Sequence, residues 1–381
     1  MFPDQRSLFA VPPDVAYFNT ASLSPQLHSV REAGEAALRR RGEPWTITSR
    51  DWFDDVERLR CLAGALFGAD PEGVALVPAT SYGFAIAARN LPLRPGSRIL
   101  VLADEYPSGI YTWRRQAQRT GSSVLTVRRQ AGGSWTEAVL AELDERVGLV
   151  SVPNVHWTDG APVDLAAISD RVRDVGAHLV IDASQSLGAL PLDVEHVRPD
   201  FVIAVGYKWL LGPFGLGYLY AADEHRGGEP LEENWILRAG SEDFAALVDY
   251  RDEYQPGARR FDVGQRTNFE LTPMAIAALE QLLAWSTSRI RATLAATTEA
   301  ISTQLSALGF DIAPEPQRAP HLLGVVLPPT MRAGLVPYLE RANCFVALRG
   351  PSMRIAPHMH TTPADIDRLI DSLRAATREL A

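Results

Sequence analysis

The sequence predicts an α/β fold: a mostly parallel sheet with covering helices, followed by a smaller α+β C-terminal domain. Three observations predict it. Seven short apolar runs, GVALVPAT, SRILVLADE, SVLTVR, GLVSVPN, AHLVIDAS, DFVIAVG and GYLYA, alternate with helix-like stretches, the pattern of parallel strands buried on both faces. From about Arg259 this alternation gives way to one long helical stretch and three shorter runs. At 381 residues, the chain is long enough for a large domain with an appendage.

Taken in order, residues 1–15 read as an arm, 16–258 as the large domain and 259–381 as the small one, with which the N-terminal segment can pack. Helices are expected over 28–41, 52–67, 81–90, 108–120, 135–144 and 164–175. Residues 223–258, mixing glycine, proline and acidic residues, read as an irregular excursion. The stretch PMAIAALEQLLAWSTSRIRATLAATTEAISTQLSALG is helical throughout by pattern; HLLGVVLP, CFVALRG and SMRIAPH are short strands, and a last helix follows Thr362.

A net charge of −9 speaks against nucleic acid or anionic membrane as a partner, since either needs a basic face. No apolar run reaches membrane-spanning length, and MFPDQRSLFAVPPD lacks the basic and apolar regions of a signal peptide. A cytoplasmic protein is expected. Cys61 and Cys344 have no metal-ligand spacing and read as core residues of a reducing compartment; no metal is expected.

The chain carries one lysine, Lys208, against 36 arginines (37 basic residues less one). Arginine matches lysine as a charge but stays protonated and cannot condense with a carbonyl. In open α/β sheets ligands gather at the carboxyl ends of strands. AHLVIDASQS puts Asp182 at such an end, with Gln185 three residues on, and DFVIAV delivers Gly206, Tyr207 and Lys208 to the same edge. An aspartate capping the next turn would look the same in isolation. Amine and carboxylate, 26 positions apart (208 minus 182), together suit a cofactor that takes a Schiff-base lysine and an acidic partner for a ring nitrogen, as pyridoxal phosphate does.

VIDASQSLGALPLDV followed by FVIAVGYKWLLGPFGLGYLY resembles the class V aminotransferase superfamily of fold-type I pyridoxal phosphate enzymes. That superfamily also contains cysteine desulfurases, kynureninases and isopenicillin epimerase-like proteins. The resemblance runs from YFNTASLSP to MRIAPHMHTTPADIDRLI. It implies the fold-type I PLP-dependent transferase architecture with a seven-stranded sheet, pyridoxal 5′-phosphate as cofactor, and a homodimer with active sites at the interface. It also implies roles for particular residues. Lys208 would carry the cofactor, Asp182 pair with its ring nitrogen, Gln185 donate to its phenolic oxygen and Asn154 contribute from the preceding strand end. Thr80 and Ser81, where PATSYGFAIAARN passes into a helix, would bind the phosphate, although ordinary N-capping uses the same hydroxyls. Tyr207 would add a phenolic donor; it stands where desulfurases carry histidine, and Val205 replaces a serine they often use.

Tyr106, after Glu105, occupies the position of the ring that stacks on the cofactor, with a core aromatic as the alternative. His156 and Trp157 are placed to line the substrate pocket, although an isolated histidine is more often structural. RRFDVGQRTNFELTP resembles the loop that reaches the partner's cofactor phosphate, with Gln265, Arg266, Thr267 and Asn268 as candidates. Arg354 matches the arginine that holds the substrate α-carboxylate as a bidentate pair; Arg349 is second for that role, and Asn19 and Ser22 are weaker substrate-side candidates.

Desulfurases carry a nucleophilic cysteine before the carboxylate arginine, and only GPSM lies between Arg349 and Arg354. The expectation is an enzyme acting on a small α-amino acid at Cα, with transamination first. A C–S lyase without an enzyme thiol, an epimerase and a kynureninase-like lyase are alternatives, and a catalytically silent binding protein is the reading outside enzymes.

Overall fold

The computed structural model describes residues 2, 4–130 and 132–380. Its strands, in chain order, are β1 (Ala16–Tyr17), β2 (Val74–Val77), β3 (Arg98–Leu102), β4 (Ser123–Val127), β5 (Val147–Pro153), β6 (His178–Asp182), β7 (Phe201–Val205), β8 (Gly217–Ala221), β9 (Leu323–Val326), β10 (Cys344–Phe345), β11 (Ala347–Arg349) and β12 (Ser352–Ile355). Seven of them form the central sheet in the order β2, β8, β7, β6, β5, β3, β4. Only β8 runs against its neighbours; the other pairings are parallel. β2 and β7 are buried along their whole length, which explains their unbroken apolar runs. β4 lies at the edge and exposes Ser123 and Thr126.

From β3 the chain steps outward to β4, then returns to the other side of β3 as β5 and continues to β6 and β7. The strand order therefore reverses between β3 and β5, which opens a crevice at their carboxyl ends. Glu105, Tyr106 and Trp157 follow these two strands, and Asp182 and Lys208 lie beside them along the same edge.

The six helices expected over the large domain are present, each with ends within two residues of the expected ones. The long helical stretch is not continuous. Ser286, at φ +62°, separates Leu271–Trp285 from Thr287–Ala307. CFVALRG likewise forms two strands, β10 and β11, rather than one.

The apolar cores divide further along the chain than the change in pattern at residue 259. Ala275, Leu279 and Leu282 of the helix Leu271–Trp285 are buried with Val30, Leu59 and the sheet in one core, because this helix lies on the helices His28–Arg41 and Asp54–Phe67. A second core joins Phe18, Ile301, Leu323, Ile355 and Leu369 around the three-stranded antiparallel sheet β11, β12, β9. The N-terminal segment touches both: Phe9 is buried in the first core, while β1 pairs in parallel with β10 and Arg6 forms a 2.5 Å ion pair with Asp365. No helix among the described residues is long and apolar enough to cross a membrane.

Candidate active site

A pocket at the carboxyl ends of the strands is lined by Thr80, Glu105, Tyr106, Trp157, Asp182, Ser184, Gln185, Tyr207 and Lys208. Lys208 lies in the loop between β7 and β8. The base of that loop is pinned: Gly206 N–H donates to the Leu216 carbonyl at 2.9 Å, and Gly212 N–H to the Gly206 carbonyl at 2.8 Å. A Cβ on Gly206 would lie 2.7 Å from the Leu216 oxygen, so no other residue fits there.

The Lys208 side chain is 9 % exposed, with Nζ 5.5 Å from the centre of the Tyr106 ring and 5.9 Å from that of Tyr207. Burial pushes its amine down to about 8; Asp182 pulls the other way, and Arg354 and Arg349 add to the fall. A neutral, nucleophilic amine is therefore accessible near physiological pH. In cofactor-free protein the rate of covalent capture of pyridoxal phosphate should climb through a midpoint near pH 8 instead of 10.5. Stopped-flow absorbance across a pH series checks this.

Asp182 closes β6, paired with Ile203 of β7, and accepts the Ser184 N–H at 2.8 Å. Burial raises its carboxyl, with Ser184 and Lys208 opposing. Gln185 lines the pocket too, but its amide donates to the Ala21 carbonyl at 3.0 Å and its oxygen accepts from the Trp209 indole at 2.9 Å. One amide N–H of Gln185 is left for a ligand.

Thr80 and Ser81 open the helix Thr80–Asn90. Its N-cap is Ala79, with no side-chain capping bond, so the capping alternative does not apply. Thr80 is buried in the pocket wall, whereas Ser81 is exposed and outside it. Pro153 and Val155 line the pocket in place of Asn154, whose carbonyl accepts the Val163 N–H at 2.9 Å. Tyr207 lies against the exposed Phe214, ring centres 4.7 Å apart. Tyr106 stands edge-on to Trp157 at 5.7 Å.

His156 is not brought into this pocket. Its two ring nitrogens meet Thr158 Oγ1 at 2.8 Å and the Ala103 carbonyl at 3.1 Å, and the ring stacks on Trp135. Its place is the wall of an adjoining cavity shared by Glu105, Trp157 and Arg349.

The substrate-side candidates converge. Arg354, 1 % exposed on β12, donates to the Trp157 carbonyl at 2.7 Å and to Ser22 Oγ at 2.6 Å. Arg349 donates to the same Ser22 oxygen at 3.1 Å. Neither guanidinium meets a carboxylate among the described residues, and Arg354 Nε has no partner. Burial, then Arg349, pushes the Arg354 guanidinium down to about 9. A buried cation without a counter-charge is costly, and an incoming carboxylate would supply one. Asn19 adjoins them through a backbone bridge to Ala356; its side-chain oxygen is buried without a partner.

The sequence reading passed over Glu105. Its carboxyl lines the pocket, accepts the Tyr106 N–H at 2.8 Å through Oε1, and leaves Oε2 buried without a partner. Burial pushes it up to about 7, with His156 opposing. The signal that singled out Asp182, an acid just past an apolar strand, marks Glu105 as well.

The 264–268 loop does not enter this pocket from its own chain. Arg266 is buried on Asp262 at 2.7 Å, Thr267 Oγ1 donates to the Trp52 carbonyl, and Asn268 caps the helix Leu271–Trp285; Gln265 alone among them is exposed. Neither cysteine lines the pocket. Cys61 is exposed on the helix Asp54–Phe67, and burial pushes the Cys344 thiol up to about 12.

The sequence model of the family described as aminotransferase class-V matches residues 47–368. The chain belongs to the class-V aminotransferase family. Its enzymes are transferases or lyases that depend on pyridoxal phosphate. Similar proteins include isopenicillin N epimerase of Streptomyces clavuligerus, 29 % identical over 99 % of this chain and 98 % of that one. Kynureninase of Geobacillus thermodenitrificans is 27 % identical over 65 % and 59 %. Among solved structures, the cystine C–S lyase C-DES in complex with cysteine persulfide superposes with a TM-score of 0.86 at 22 % identity, covering 95 % of this chain and 98 % of that one.

The pocket of this class-V chain fits the cofactor. It offers an amine free of hydrogen bonds, a strand-end carboxylate, a helix N-terminus without a side-chain cap and the hydroxyl of Thr80. When bound, pyridoxal phosphate supplies the sink for electrons left on a substrate Cα.

Proposed function

We propose that the protein acts at Cα of an α-amino acid and transaminates it. One observation carries the substrate class: Arg354, a buried guanidinium with no carboxylate partner, is bonded to the carbonyl of Trp157 in the pocket wall and lies near enough to the single lysine to lower its amine. Arg354 holds the α-carboxylate, and Ser22 orients Arg354 and Arg349 toward it. Lys208 would carry the cofactor, and its amine would hold and move the proton at the substrate Cα. Asp182 keeps the cofactor's ring nitrogen protonated. Thr80 and the N–H groups behind it, with Tyr207, take the phosphate. Gln185 would give its remaining amide N–H to the cofactor's phenolic oxygen, and the Tyr106 ring would pack against the cofactor. The absence of a cysteine from the pocket argues against persulfide formation.

Two chains form the working enzyme in this reading. Trp45, Val248 and Tyr250 are 79 %, 77 % and 95 % exposed, large apolar side chains that a second copy could cover. Gln265 is the loop residue free to reach the partner's phosphate.

Epimerisation is the second reading, favoured by Glu105. A carboxyl near half-protonation at neutral pH is suited both to give and to take a proton. Single turnover in deuterated water separates the readings. Accumulating keto acid is the expected result. Deuterium at Cα of a racemising amino acid without keto acid would establish epimerisation, and released pyruvate or thiol would establish elimination.

Arg354→Gln should lower kcat/KM for α-amino acids by about 10- to 100-fold, the worth of a charge-assisted pair. Cofactor absorbance should be unchanged. Steady-state kinetics beside a visible spectrum checks both.

A further inference from the structure

Away from the pocket, among the described residues, His178, Asp200 and His225 form a cluster of metal-ligating side chains. His178 begins β6, Asp200 immediately precedes β7, and His225 lies in the single turn after β8. Asp182 stands four positions beyond His178, so the cluster lies about 13 Å from the pocket, at the opposite end of the same strand.

His178 Nδ1 lies 2.7 Å and His225 Nε2 2.6 Å from the same oxygen, Asp200 Oδ1. The other oxygen, Oδ2, accepts the Leu179 N–H at 2.7 Å, which turns Oδ1 toward the two rings. The His225 ring is stacked on Phe201 at 5.1 Å, and Asp200 is also bound through its backbone to Leu179 and Ala222. The three side chains are 26 %, 15 % and 12 % exposed, so the cluster is held firmly yet opens to solvent.

We propose that His178, Asp200 and His225 bind a divalent transition-metal ion, zinc by preference, through three side chains with the fourth position open to water. Two imidazole nitrogens and one carboxylate oxygen are the donors that zinc takes in tetrahedral sites. Metal–ligand bonds of about 2.0–2.2 Å place such donors about 3.3 Å apart. Each ring therefore moves outward by roughly 0.6 Å from its present contact, and each imidazole presents the nitrogen that now faces Oδ1 in its unprotonated form. The Leu179 N–H on Oδ2 orients the carboxylate ligand, as outer partners of metal sites do. The ion would tie the start of β6 to both strands of the β7–β8 hairpin whose loop carries Lys208.

The test uses full-length, cofactor-loaded protein stripped with a chelator and titrated with zinc chloride by isothermal calorimetry. One equivalent should bind, and His225→Gln and Asp200→Asn should each weaken binding by about tenfold or more. The melting temperature of the wild type should rise with zinc and that of the variants much less. Should Asp200→Asn fail to fold, His178→Asn beside His225→Gln carries the comparison. Absence of a stoichiometric site, or equal affinity in His225→Gln, overturns the proposal and leaves a hydrogen-bonded triad. The readout is binding, so neither result bears on the reaction in the pocket.

Discussion

Replacing Lys208 with alanine is expected to lower turnover by about a thousandfold or more, the scale of a lost proton-transfer group, and to abolish the visible band of covalently held cofactor. No other lysine exists to take over the attachment. The fold should survive, because the side chain makes no hydrogen bond or ion pair within the chain. Cofactor-free protein gives a second, independent readout. The amine titrates near 8 when folded and near 10.5 when free, so between those values the unfolded chain binds more protons than the folded one. Stability of the cofactor-free wild type should therefore rise as pH climbs from about 8 to 10.5. The alanine variant should lack this rise. Urea denaturation at both ends of the window measures it, and undiminished activity in the variant would show that Lys208 has no catalytic part.

Replacing Asp262 with alanine should produce the largest loss of stability, about 3–5 kcal/mol, as expected when one partner is removed from a buried ion network. Asp262 is fully enclosed between Arg60, at 3.1 and 2.7 Å, and Arg266, at 2.7 Å, and also accepts the Leu76 N–H at 2.7 Å. Burial alone would raise its carboxyl, but the two guanidiniums hold it below the ordinary range. The variant strands the Arg266 cation in the protein interior and leaves Arg60 with Glu57, at 3.2 Å, as its remaining carboxylate. It also removes one of the two bonds that hold the segment leading to Gln265 on the edge strand β2, leaving the Val263 N–H on the Leu76 carbonyl. Denaturant melts should show the lowered midpoint. Asparagine, which keeps an acceptor, should lose less than alanine.

What the sequence disclosed about this site depended on where the residues fall. Asp182, Lys208 and Tyr106 lie just past strands, and the rule that parallel sheets gather ligands at carboxyl ends needs no knowledge of side-chain partners. Arg354 was legible through its motif. The contacts that define its surroundings were not. Ser22 meets Arg354 across 332 positions, and Gln185 meets Ala21 across 164; local pattern carries no trace of pairings so distant. His156, read as a pocket or a structural residue, has its ring held by nearby Thr158 and by the Ala103 carbonyl, 53 positions away. The division at residue 259 followed composition, whereas the cores follow packing, and the small residues Ala275 and Ala278 let the helix Leu271–Trp285 settle on the large domain.

The burial of the single lysine also turns the chain into its own reporter. A lysine-specific endoprotease has one peptide bond to cut, after residue 208, which would leave pieces of 208 and 173 residues (381 minus 208). With that side chain enclosed and its loop pinned at Gly206, cleavage waits until the β7–β8 loop opens. The rate at which two bands replace one on a gel then measures how often the reaction chamber comes apart, without substrate, label or spectroscopy.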